Sequence, residues 1–119
     1  MLGETVKIFV YGTLMRGGQL AEILHNSQYK GSARISGSLF DTTLGFPALT
    51  DPIQEGDTVE GEVYEVKSET LRRLDTAENV PHLYERITTV LLDKPMEVFV
   101  YRYVPSVATA HYIPSGKWT

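Results

Sequence analysis

Glu78 is the residue best placed to move protons. Leu71, Leu74 and Glu78 are three, four and seven positions apart, a spacing that puts all three on one face of a helix. A carboxylate therefore lands on an apolar stripe. Two readings follow. Either the helix has ended by Asn79-Val80-Pro81 and Glu78 stands in water as its last residue, or Glu78 enters a partly dry pocket. In the second case desolvation raises its pKa and suits it to acid and base catalysis near neutral pH. No cation adjoins it in sequence; Arg16 and Arg86 are the two that could fold back against it. Asp75 lies near the same face, and there a surface or hydrogen-bonding role is favoured over a catalytic one.

The second candidate is the segment Tyr11-Gly12-Thr13-Leu14. A glycine at the end of a strand lets a ligand approach backbone N–H groups that the sheet does not use, and such groups hold a carboxylate or an oxyanion; the same glycine also serves as a plain turn. The segment lacks the Gly-Lys-Ser/Thr of a phosphate-binding loop, so ATP is not expected. Tyr84, Tyr101 and Tyr103 offer rings and hydroxyls, although tyrosines on strands commonly pack with a solvated tip.

Other chemistries lack their residues. The chain has no cysteine, hence no disulfide, thiol nucleophile or thiolate metal site. His25, His82 and His111 are dispersed, and Pro81 interrupts the turn that would bring Glu78 and His82 to one ion. No metal and no cofactor are expected. There is no G-x-S-x-G elbow of a serine hydrolase.

Positioning these groups falls to 119 residues, enough for one core and read as a single domain, 1–119. A formal charge of -4 gives no basic field for nucleic acid or an anionic membrane, which leaves a small molecule as the expected partner. No apolar run approaches the roughly 20 residues of a membrane span, and Met1 to Thr5 lacks the start of a signal peptide, so a soluble, cytoplasmic protein is expected. The sequence carries no signal of oligomeric state.

Val6, Ile8 and Val10 alternate with Lys7, Phe9 and Tyr11, the period of a strand that Gly12 ends. Leu20, Ile23 and Leu24 then suit a short helix around Gln19 to His25. Further strand patterns run from Ala33 to Leu39, Val59 to Val66, Tyr84 to Leu92 and Val98 to Val104, the last two joined as a hairpin by Asp93-Lys94-Pro95. Gly45, Pro47, Pro52 and Gly56 make Asp41 to Asp57 read as a long loop over the surface or a site. A second helix is expected from Ser68, as N-cap, through Ala77. The sum is an α+β fold: a small, mostly antiparallel β-barrel with two short flanking helices.

In this order the motifs resemble the γ-glutamylcyclotransferase-like family, which includes γ-glutamylamine cyclotransferases and AIG2-like proteins. The matching segments are Val10-Tyr11-Gly12-Thr13-Leu14 with Arg16-Gly17, Phe46-Pro47-Ala48-Leu49, and Val59-x-Gly61-Glu62-Val63-Tyr64-Glu65-Val66. Leu74-Asp75-x-x-Glu78, Tyr84-x-Arg86, Val98-x-Val100-Tyr101 and Ser115-Gly116-Lys117-Trp118 continue the match through nearly the whole chain. The resemblance implies that Tyr11, Gly12, Thr13 and Leu14 bind the glutamyl end of a substrate and that Glu78 is the acid/base. It implies conversion of a γ-glutamyl amine or amide to 5-oxoproline plus free amine, by attack of the substrate's own α-amine. Tyr84 and Tyr101 join the expected substrate-binding set. The competing expectation is a non-catalytic ligand-binding or interaction barrel of the same fold. One departure stands out: many relatives have Gly directly after the glutamate, where this chain has Asn79, a residue that tolerates left-handed backbone angles.

Overall fold

Ile8 and Val10 point to one side of the first strand and Phe9 to the other, and all three are fully buried. A strand that is apolar on both faces must be covered on both, and this requirement sets the layering. The computed structural model describes residues 4–12 and 21–118. The first strand, β1 (Thr5–Val10), is the middle of a five-stranded sheet ordered β2-β5-β1-β7-β6, where β2 is Gln28–Ser36, β5 Thr58–Lys67, β6 Tyr84–Val90 and β7 Glu97–Tyr103. Three further strands, β3 (Ser38–Asp41), β4 (Pro47–Thr50) and β8 (His111–Ile113), form a second sheet ordered β4-β3-β8. The helix α1 (Ser68–Ala77) follows β5 directly.

Two cores result. On one face of β1, Ile8 and Val10 pack with Tyr64, Val66, Tyr84 and Tyr101 under Leu71 and Leu74 of α1. On the other, Phe9 packs with Val63, Val98 and Val100 against Leu39 and Leu49 of the second sheet. The pairing is antiparallel throughout except at one seam, where β1 and β7 run parallel with Ile8 opposite Phe99. That seam brings the carboxyl ends of β1 and β7 to the same end of the sheet.

Several expectations are corrected. The strands form two sheets instead of one closed barrel: the chain leaves the first sheet at Gly37, and the edges β2 and β6 are not paired as strands, although the Leu92 N–H, just beyond β6, donates to the Arg34 carbonyl at 2.9 Å. Two flanking helices are not found among the described residues. Around Gln19 to His25 the described part is a single 3-10 turn, Ala21–Leu24, closed by three-residue hydrogen bonds; it buries Leu24, but it is too short to sustain an α-helix. Asp41 to Asp57 contains β4, whose Pro47 sits at the first strand position, where its missing N–H is tolerated. Lys67, not Ser68, is the N-cap of α1, and Ser68 is the first helical residue. The β6–β7 hairpin forms as expected, with Tyr84 opposite Tyr103 and Arg86 opposite Tyr101.

Gly61 is the tightest point between β1 and β5, since a Cβ there would run into the Val10 carbonyl and the Phe9 ring. Both belong to the central strand and neither has room to retreat. Gly61→Ala should therefore cost about 1–3 kcal/mol, as overpacking of a filled core does. Denaturant unfolding measures it, as a lower midpoint with an unchanged slope.

Candidate active site

The helix α1 ends in a closed left-handed turn. Glu78 is its C-cap, with its N–H on the Leu74 carbonyl at 2.9 Å. Asn79 follows at φ 53°, its N–H donates to Thr76 at 3.1 Å, and the Val80 N–H reaches back to Asp75 at 3.0 Å. These bonds satisfy the last carbonyls of the helix, while Val80 folds onto the core that holds Leu74. The helix has thus ended where one reading of the sequence placed its end, yet Glu78 is only 9% exposed. Among the described residues its carboxyl group meets no hydrogen-bond donor and no cation. Burial alone pushes its pKa from 4.5 up to about 7.

Glu78 faces a small pocket open to solvent, with a cavity volume of about 20 Å³, lined also by Phe9, Val10, Tyr11, Gly12, Pro47, Tyr84 and Tyr101. The three tyrosines do not end in solvent. The Tyr11 hydroxyl donates to the Tyr101 carbonyl at 2.5 Å, Tyr84 to the Pro47 carbonyl at 2.5 Å, and Tyr101 to Asp75 Oδ1 at 2.7 Å. Burial pushes all three phenols up and the nearby Glu78 charge adds to each, so they remain protonated donors. Asp75 Oδ2 also lies 3.5 Å from Arg86 Nη1, and Arg86 stacks on Phe99 with its guanidinium carbon 4.8 Å from the ring centre. Arg86 is therefore engaged by Asp75 and not by Glu78. Tyr103 stands one step out, its ring centre 5.5 Å from that of Tyr84, and with Phe46 it completes an aromatic cluster behind the pocket wall.

The structure brings together Tyr11, Gly12, Glu78, Tyr84 and Tyr101. Thr13, Leu14 and Arg16 lie outside the described residues. Gly12 has a packing reason as well as the expected one, because a Cβ there would sit 2.5 Å from Pro47 Cγ. Pro47, Phe9 and Val10 are wall residues that sequence reasoning did not single out. A hydrogen-bonding role for Asp75 was expected but its partner was not: Tyr101 lies 26 positions away, on the strand that pairs with Arg86. Among the described residues no three His, Asp or Glu side chains gather as a metal site, and no helix is long and apolar enough to cross a membrane.

A buried carboxylate that no described residue pairs, at one mouth of an α+β fold, is a candidate site for small-molecule acid and base chemistry. Residues 8–119 match the family described as "Gamma-glutamyl cyclotransferase, AIG2-like", and the chain belongs to that enzyme family. It is 33% identical to a γ-glutamylaminecyclotransferase of Bos taurus, over 94% of this chain and 70% of that protein. It is 38% identical to the γ-L-glutamyl-butirosin B γ-glutamyl cyclotransferase of Niallia circulans, over 67% of this chain but only 54% of that protein, about half its length. The crystal structure of an AIG2-like protein from Mus musculus superposes with a TM-score of 0.81 at 27% identity, covering 94% of this chain and 88% of that one.

The raised pKa fixes the sign of a stability effect. Between about pH 4.5 and 7 the folded chain keeps a proton on Glu78 that the unfolded chain has released, so this group's contribution to stability falls as pH rises through that window. Above pH 7 the full cost of the buried charge, on the order of 3 kcal/mol, is present. Glu78→Gln removes the charge and keeps the shape. It should melt several degrees above the wild type at pH 8 and close to it at pH 4.5, as followed by thermal denaturation.

Proposed function

We propose that the chain converts a γ-glutamyl amine or amide to 5-oxoproline and the free amine, with Glu78 as the proton carrier. The observation that carries this reading is the Glu78 carboxylate, unpaired among the described residues, set at the helix cap and with its pKa pushed up to about 7, in one pocket with Tyr11 and Gly12. A base near neutrality can take a proton from an ammonium and, as an acid, give one to a departing nitrogen. The names of both relatives, one acting on a γ-glutamylamine and one on γ-L-glutamyl-butirosin B, put a γ-glutamyl group on an amine and support the same substrate class here.

The reaction is intramolecular. Glu78 removes a proton from the α-ammonium, and the freed nitrogen attacks the γ-carbonyl carbon to close a five-membered ring. As Glu78 gives that proton to the leaving nitrogen, the bond from the γ-carbon to it breaks; Glu78 then takes the second proton from the ring nitrogen and passes it to the released amine, which departs as an ammonium while Glu78 is restored. Atoms and protons balance without a co-reactant. Folding the glutamyl chain into its attack geometry accounts for much of the acceleration, since a bound intramolecular nucleophile has little translational freedom left to lose. Backbone N–H groups from Gly12 to Leu14 hold the α-carboxylate or the developing oxyanion, where one lost donor costs roughly 10²–10³ in rate. Tyr11, Tyr84 and Tyr101 shape the walls and exclude water.

The test is product analysis. Incubation with a panel of γ-glutamyl amines, γ-glutamyl amino acids and glutathione should release 5-oxoproline, detected by mass spectrometry, from at least one member. Glu78→Gln should lower that rate by at least about 10²-fold, and kcat/KM of the wild type should fall below about pH 7 as the base becomes protonated. A blank panel at high enzyme concentration, or full activity in Glu78→Gln, would overturn the proposal.

A further inference from the structure

The strand register places Arg86 directly opposite Tyr101, on the sheet face that α1 covers. Asp75, on α1 and three residues before Glu78, bridges the two, with Oδ1 on the Tyr101 hydroxyl at 2.7 Å and Oδ2 on Arg86 at 3.5 Å. A phenol has one proton, and here it is committed outward to a carboxylate that can only accept. Tyr84 likewise gives its proton to the Pro47 carbonyl and Tyr11 gives its own to the Tyr101 carbonyl. Each phenol that lines the pocket with Glu78 is thus turned so that only oxygen lone pairs remain for an occupant.

We infer that Asp75 is a positioning residue: held by Arg86, it draws the Tyr101 proton away from the pocket, so that the three phenols turn oxygen acceptors and no O–H donor toward Glu78. The consequence is chemical. A hydroxyl donating to the Glu78 carboxylate would stabilise the anion and weaken it as a base, whereas a wall of acceptors leaves it basic and receives the N–H groups of an ammonium. Among the described residues the titratable groups facing Glu78 are Tyr11 after β1, Tyr84 on β6 and Tyr101 on β7, with Asp75 on its own helix and Arg86 acting through Tyr101. Of these only Tyr101 has its proton on a side chain that can be replaced, which makes the idea testable.

The part of this inference that concerns catalysis rests on the cyclotransferase reading, whereas the part that concerns Glu78 does not. Asp75→Asn keeps the shape of the side chain. Arg86 can only donate, so the single amide oxygen turns to it and the NH₂ turns to Tyr101, which frees the phenolic proton for the pocket. NMR titration of the Glu78 side-chain carboxyl should then move down by about one pH unit or more from the wild-type value. Tyr101→Phe, with no proton to release, should stay near the wild type, and the double variant Asp75→Asn/Tyr101→Phe should return there. Asp75→Leu, which accepts nothing, should shift like Asp75→Asn and serves if that variant fails to fold. An unmoved Glu78 in both Asp75 variants overturns the inference. So does a drop that persists without the Tyr101 hydroxyl, since that is the mark of a merely structural or charge effect. The titration needs no turnover, so a blank substrate panel beside the expected shifts would sink the enzymatic reading alone. In an active enzyme the acid limb of kcat/KM moves down with the titration.

Discussion

An ionised carboxylate held out of water without a partner is among the more costly things a fold can contain, and the structure holds Glu78 with no partner among the described residues. Glu78 is held back from solvent because the residue after it sits in a left-handed turn and the next, Val80, is partly buried against the core. Nor do the tyrosine hydroxyls described around it offer a donor, because they are already spent on Pro47, Tyr101 and Asp75. Both restraints are needed. A mobile helix end would let the carboxylate hydrate, and a free phenol would give it the hydrogen bond that burial denies it.

Holding such a group requires rigid surroundings, and these come from β1. Its two buried faces serve two cores, one beneath α1 and one against the second sheet, so movement of β1 would disturb both. The parallel seam to β7 does the rest. With Ile8 opposite Phe99, the strand ends run out side by side, which sets Tyr11 where its hydroxyl meets the Tyr101 backbone. Antiparallel pairing at that seam would have sent the end of β7 to the far edge of the sheet. The pocket wall is thus a product of strand direction, and the proton-bearing residue is a product of helix register.

That division explains what was legible in the sequence. The spacing of Leu71, Leu74 and Glu78 survives in the structure because helical periodicity is local, and Asn79 announces the end of the helix for the same reason. The alternation in β1, β5, β6 and β7 is local too. What escaped depends on contacts far apart in the chain. Tyr84 and Pro47 are 37 positions apart and Tyr101 and Asp75 are 26, and no periodicity encodes either pair. The second sheet was hidden because alternation from Ala33 to Leu39 continues across Gly37, where the strand changes sheets, and because Pro47 disguises the start of β4. A count of strand patterns gives the number of strands in a barrel only if every strand stays in one ladder, and here three do not.

The residue after the glutamate shows how a departure from a family pattern can leave the geometry intact. Where the resemblance leads one to expect Gly, Asn79 adopts φ 53° and makes the backbone bond that closes the helix. Glycine enters that region freely but also wanders most widely in the unfolded chain, whereas asparagine enters at a modest steric cost and has fewer states to lose. The two effects oppose each other in stability. They act together on mobility, because a side chain at that position narrows the backbone angles open to the turn. The residue carrying the buried carboxylate is therefore followed by a stiffer link than glycine would supply, and stiffness there keeps Glu78 dry.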